Sequence, residues 1–214
     1  MNEEECIVQC CDNMEKLKKF CLEKSKNIIE QFGGLIDSHL FVFSLIKRTL
    51  DIIDTFSYAT KTFNINTQIP LLRLQVDNCM IIRGVLLQKE KGNDIYKDTL
   101  CPDFDVKKFT DLEGKSLSDN KLAKLVNEDY KHFFELYKFC CKFVHFTGKA
   151  FNTLIFGFEN RKMQFYLRVG NQNKINDVIT NSNDMVEVTK VLFHYIEKYL
   201  NIIKGDLLSE YNKN

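Results

Sequence analysis

Apolar residues recur at intervals of three and four along most of the chain, the spacing of helices that bury one face. Cys10, Met14, Leu17, Cys21 and Ile28 form one such seam among Glu and Lys, which predicts a helix over about Asp12–Gln31, stopped by Gly33-Gly34. A second helix is expected from Asp37 or Ser38, either a good N-cap, to about Thr60, with Phe43, Ile46, Leu50 and Ile53 at helical spacing. His39 falls in its first turn. A protonated ring there opposes the helix dipole, so His39 reads as a neutral surface histidine. A third helix is expected over about Thr67–Lys89, with Pro70 in the first turn. Apolar side chains lie nearly all round it, from Leu71 to Leu86, which marks a central helix. Gly84 costs about 1 kcal/mol in a helix interior and points to close approach of a backbone or a ligand.

Residues Lys91–Ser118 lose this period and read as a structured excursion, with a short helix over Phe104–Leu112. Ser118 or Asp119 caps a further helix over Asn120–Asn127. An aromatic-rich helix then runs from about Glu128 to His145 and closes at Thr147-Gly148. Beyond it the period changes to two. Met163, Phe165, Leu167 and Val169 alternate with polar positions, and Thr153–Phe158 can pair with them through Glu159-Asn160-Arg161 as a hairpin. Two strands alone are marginal, so this hairpin is expected to pack on the helices. A polar connector over Asn171–Asn183 leads to a last helix from Asn183 or Asp184, whose stripe Val188, Leu192, Tyr195, Tyr199 and Ile203 ends at Gly205. The fold class is mostly α: a single up-and-down helical bundle with a small β-hairpin after the His145 helix. It forms one domain over residues 1–214, with a core at about 37–205 and helix 12–31 packed on it.

Composition agrees with long helices, since 214 residues hold 9 Gly and 2 Pro, and 18 Phe with no Trp imply a Phe-filled core. A net charge of +1 supplies no global field toward nucleic acid or an anionic membrane, so any RNA role must rest on a local site. The acidic N-terminus lacks the pattern of a signal peptide, and no apolar run approaches the roughly 20 residues of a membrane span. The chain therefore reads as cytoplasmic. Its 8 Cys have no framework spacing and read as thiols. No cofactor is expected.

Three positions carry the candidate chemistry. His145 shares a helical stripe with Cys141, Lys138 and Phe134, and reads either as a general acid or base or as a helix-end histidine hydrogen-bonded to Asp77. Arg73 and Asp77, at i and i+4, read either as an anion-binding guanidinium held by its carboxylate or as a salt bridge that fixes helix register. Cys141 with His145 has metal-ligand spacing, but further ligands are missing. Lys47-Arg48 and Arg161-Lys162 read as solvated basic pairs. A cavity near Phe134, Tyr137 and Gly84 that senses a small molecule is a third reading.

Pro70–Asn78 (PLLRLQVDN) and Tyr137–Gly148 (YKFCCKFVHFTG) resemble motifs of bacterial helical domains related to the HEPN superfamily. The first is similar to an LLR-x-x-x-E helix with Asp77 in place of Glu. The second is similar to a Y-x-x-x-S-x-x-V-H helix end, with Tyr137 leading and Cys141 at the small polar position. The resemblance covers about Asp37–Gly205 and implies a helical bundle that often dimerises. It also implies a metal-independent ribonuclease of toxin–antitoxin or phage-defence type, with RNA and an antitoxin or defence protein as partners. In that reading His145 takes the proton from a ribose 2′-OH and Arg73 or Lys138 stabilises the phosphorane, with Asp77 orienting Arg73. Family nucleases place an Arg, then four to six intervening residues, then the His. Here Lys138 holds that place, without the bidentate fork of arginine. The rival reading is a non-catalytic interaction or regulatory module in which Arg73, Asp77 and His145 form a structural polar cluster.

Overall fold

The computed structural model of the chain describes residues 2–35, 38–93, 99, 101, 103–111, 113–145, 155–159, 164–167 and 175–211. Among them the fold is a mostly helical bundle. Helix α1 spans Glu3–Gln31, and starts ahead of the expected Asp12 because Asn2 builds a capping box. The Asn2 side chain accepts the Glu5 N–H at 2.8 Å, and the Glu5 carboxylate accepts the Asn2 N–H at 2.9 Å. The seam from Cys10 to Ile28 is buried as its spacing implies. Helix α2 spans Ser38–Lys61. Its first turn holds a correction: His39 is fully buried, with its ring edge-on to Phe32 at 4.5 Å. Burial lowers its pKa from the usual 6.5 and keeps it neutral.

Helix α3 spans Ile65–Glu90 and is the central element, in contact with α2 and with the later helices. Asn64 caps it by accepting the Thr67 N–H at 3.2 Å, so the helix begins before the expected Thr67, and Pro70 lies in its second turn. Its interior carries a line of neutral polar side chains. Gln68, Gln75 and Asn78 are all fully buried. Gln68 donates to Thr60 Oγ1 at 2.9 Å and accepts from Asn181 at 3.2 Å. Gln75 donates to Thr189 Oγ1 at 3.1 Å, and accepts from Asn78 at 3.0 Å and from Thr49 at 3.3 Å. These bonds fix the register of α3 against its neighbours, because a slip leaves buried amides without partners.

The excursion after α3 holds a 3₁₀ turn, Val106–Lys108, rather than the expected helix over Phe104–Leu112. The Asp105 carboxylate accepts the Lys107 N–H at 2.9 Å, and Thr110 bridges Ser116. Val106 sits against Gly84, where an added Cβ overlaps Val106 Cγ2 and presses on Leu122. The glycine therefore admits a neighbouring side chain, not a ligand.

The helix expected over Asn120–Asn127 is present as α4 (Asp119–Asp129), and the aromatic helix expected from Glu128 begins later, as α5 (Phe133–Val144). His132 takes a left-handed conformation, φ 73°, and breaks the run. Asn127 then accepts the Phe134 N–H at 3.1 Å and caps α5, while Tyr130 packs edge-on against Tyr195 at 5.7 Å. The expected stop at Thr147-Gly148 lies outside the described residues. Segments β1 (Ile155–Glu159) and β2 (Gln164–Leu167) run antiparallel, with Phe158 opposite Phe165; the expected turn over Asn160-Arg161 lies outside the described residues.

Helix α6 spans Ile175–Tyr211, longer at both ends than expected. Part of the supposed polar connector is helical because Val178 and Asn181 are buried from it, and exposed Gly205 continues the helix. Tyr195 on α6 donates to Asp129 of α4 at 2.8 Å, and Arg83 of α3 pairs with the same carboxylate at 3.4 Å. One contiguous apolar core runs from Met14 to Ile203. Among the described residues, no helix is long and apolar enough to cross a membrane.

Candidate functional site

Helices α3 and α5 meet at a polar junction built on Arg73. The guanidinium forms an ion pair with Asp77 one turn along α3. Its Nε donates to Cys141 Sγ at 3.4 Å. Its central carbon lies 4.7 Å from the centroid of the Tyr137 ring, within cation–π range. The pair is largely withdrawn from water, with side chains 13% and 28% exposed for Arg73 and Asp77. Burial, and then the Cys141 side chain beside it, push the Tyr137 phenol up to about 12. Burial likewise pushes the Cys140 thiol up to about 12, so at neutral pH both groups are uncharged.

Arg73, Asp77, Tyr137 and Cys141 are thus brought together. His145 and Lys138 are not part of that group. His145 is the C-cap of α5, exposed, with its backbone N–H donating to the Cys141 carbonyl at 3.0 Å. Among the described residues its ring has no hydrogen bond, ion pair or ring contact with Arg73 or Asp77. The helical spacing keeps it in line with Cys141. However, α5 ends at Val144, which leaves His145 about 6 Å beyond Cys141 along the axis, exposed to solvent. Lys138 is exposed and lies 4.0 Å from the Phe134 ring centroid, on the outer side of the aromatic pair formed by Phe134 and Tyr137. The reading of His145 as a helix-end histidine hydrogen-bonded to Asp77 is therefore corrected: Asp77 is engaged by Arg73.

A cavity of about 260 Å³ opens beside the junction, bounded by Arg48 of α2, Arg73, Asp77 and Met80 of α3, and Phe104 and Lys107 of the excursion. Arg48 is the functional candidate that pattern reading passed over. Lys47 is exposed and pairs with Asp51 at 2.5 Å, as a solvated residue does. Arg48 is half-buried and has no hydrogen bond or ion pair among the described residues. Burial lowers its pKa. A signal was present: Arg48 stands seven residues after Phe41 and four before Ile52, both buried, so it shares their side of α2. Lys107, across the cavity, pairs with Asp119 at 2.9 Å.

A larger hollow, about 630 Å³, lies between the start of α3, α5 and α6, with Ile69 and Phe143 in its walls and Glu135, Asp177 and Asp184 around it. Burial raises the pKa of Asp184. No group of three His, Cys, Asp or Glu side chains among the described residues is arranged to hold a metal ion, and each of the eight cysteines is a thiol rather than half of a disulfide.

No family model matches the chain, and neither a curated protein nor a solved structure matches it. The likeness to HEPN-type domains accordingly rests on the two short motifs that carry it.

Proposed function

We propose that this bundle is a non-catalytic interaction or regulatory module in which Arg73, Asp77, Tyr137 and Cys141 form a polar clasp between α3 and α5. The observation that carries this reading is the engagement of Arg73 on three sides, by a carboxylate, a thiol and an aromatic face. A guanidinium so held commits its Nε and Nη1 within the protein, and a bidentate grip on a scissile phosphate through those atoms requires breaking that set. The HEPN-like architecture, with the strand segment as an addition to the basic bundle, belongs to the same proposal. So do its partners: a second copy of this chain, or an antitoxin- or defence-type protein. Eight thiols support a reducing compartment, the cytoplasm, as the place where it works.

The ribonuclease reading keeps one observation in its favour, the solvent-exposed ring of His145 at the end of α5. Incubating RNA with wild type and His145→Ala in the presence of a chelator separates the two. The expected result is no cleavage by wild type beyond that of the variant. Metal-independent cleavage that disappears with His145→Ala overturns the module reading and restores His145 as a general acid or base.

A further inference from the structure

We propose that the cavity beside α2 and α3 binds a small phosphate monoester, with Arg48 as its anchoring residue. This deepens the regulatory reading and rests on it, by naming the class of ligand such a module answers to.

Three observations converge on Arg48. First, Arg48 is half-buried and has no hydrogen bond or ion pair among the described residues, whereas the neighbouring cations are neutralised: Arg73 by Asp77 and Lys107 by Asp119. A partly desolvated cation without an anion is unfavourable, and an incoming anion relieves it. Second, the Arg48 guanidinium faces a formed cavity rather than a flat surface. Its planar fork of donors matches two oxygens of a phosphate. Third, the cavity is smaller than the roughly 300–1,000 Å³ of sites for drug-sized ligands. It fits a phosphate group with a short body against Met80 and Phe104.

The carboxylates narrow the choice further. Asp77, Asp105 and Asp119 also border the cavity, so its fixed charge sums to near zero and one dianion is tolerated where a polyanion is not. An RNA backbone brings several phosphates and no donors for those carboxylates. A hydroxyl-bearing phosphate ester brings one phosphate and donors suited to Asp105.

The test is calorimetric titration of the full chain with inorganic phosphate, with glycerol 3-phosphate and with a short RNA, on wild type, Arg48→Gln and Arg48→Lys. Glycerol 3-phosphate is expected to bind saturably. Arg48→Gln is expected to weaken it by about tenfold or more, the loss that removing a charge-assisted hydrogen bond brings, and Arg48→Lys to recover part of it. Without ligand, Arg48→Gln is expected to melt no lower than wild type, because it removes a half-buried charge that no described residue pairs. Equal binding by wild type and Arg48→Gln overturns the proposal, as does a large loss of unliganded stability, which makes Arg48 a packing residue. Equal affinity for inorganic phosphate and the ester overturns the ester and leaves a free-phosphate site. RNA binding tighter than the ester and dependent on Arg48 overturns the small-ligand choice. Failure of the clasp is read elsewhere, in Arg73 and Asp77 variants without ligand, so the two readings fail separately.

Discussion

Helix α3 presents two polar regions built on opposite rules. Its interior line of Gln68, Gln75 and Asn78 is neutral, fully buried and bonded to hydroxyls and an amide on α2 and α6. Its edge at Arg73 and Asp77 is charged, largely but not fully withdrawn from water, and borders a cavity. Neutral amides inside a core lose less on desolvation than ions and, once satisfied, specify a single register. Ions kept at an edge retain part of their hydration and can exchange a protein partner for a ligand. The first region determines how the helices stack; the second is where binding is affordable.

This contrast predicts unequal penalties. Gln75→Leu keeps the volume but takes one buried hydrogen bond from each of Thr49, Asn78 and Thr189, and is expected to cost about 3 kcal/mol by chemical denaturation, the upper range for weakened buried polar partners. A loss under half of that dissolves the distinction between the regions. Gly84→Val tests the wall next to the edge. It forces Val106 and Leu122 outward and is expected to cost about 2 kcal/mol by overpacking, with the excursion becoming more protease-sensitive than α3. Arg73→Met belongs to the charged edge. Its coupling with Asp77→Asn in a double-mutant cycle is expected at about 1 kcal/mol, because residual solvent screens the pair. A coupling as large as the Gln75 penalty places the clasp with the interior line instead.

The helices were legible wherever one face alternates cleanly with another, as along the α1 seam and the α6 stripe, since burial there follows directly from spacing. Boundaries were not, because they depend on single side chains reaching backbone groups: Asn2 lengthens α1, and Asn127 restarts the chain at Phe134 after the left-handed His132. Arg73 with Asp77 was visible as an i, i+4 pair, and its meeting with Tyr137 and Cys141 follows from two helices packing. His145 was misplaced because helical phase gives an angle round the axis and not the point at which the helix stops. Arg48 was hidden by Lys47, since a doublet of basic residues suggests one solvated face although adjacent positions point about 100° apart.

His39 breaks the rule that the interior is neutral by composition, and does so without breaking it in charge. The ring lies buried between Phe32 and Phe43, and desolvation lowers its pKa below 6.5. The native state therefore holds it neutral where the unfolded chain already takes up a proton. Below the unfolded value the unfolded state binds more protons, so stability falls as pH drops from 6.5 towards the depressed native value, and His39 adds no further slope beneath that. Asp184 acts in the opposite direction in a lower window, since its raised pKa lets the folded state bind protons first as pH falls towards 3.8. The window just below 6.5 thus isolates the histidine among the two. Denaturation midpoints measured from pH 7 downward are expected to decline in wild type, and to decline less in His39→Gln, which keeps polar atoms but does not titrate. Parallel declines in the two proteins put the proton uptake elsewhere and return His39 to the surface role its position in the first turn of α2 implies.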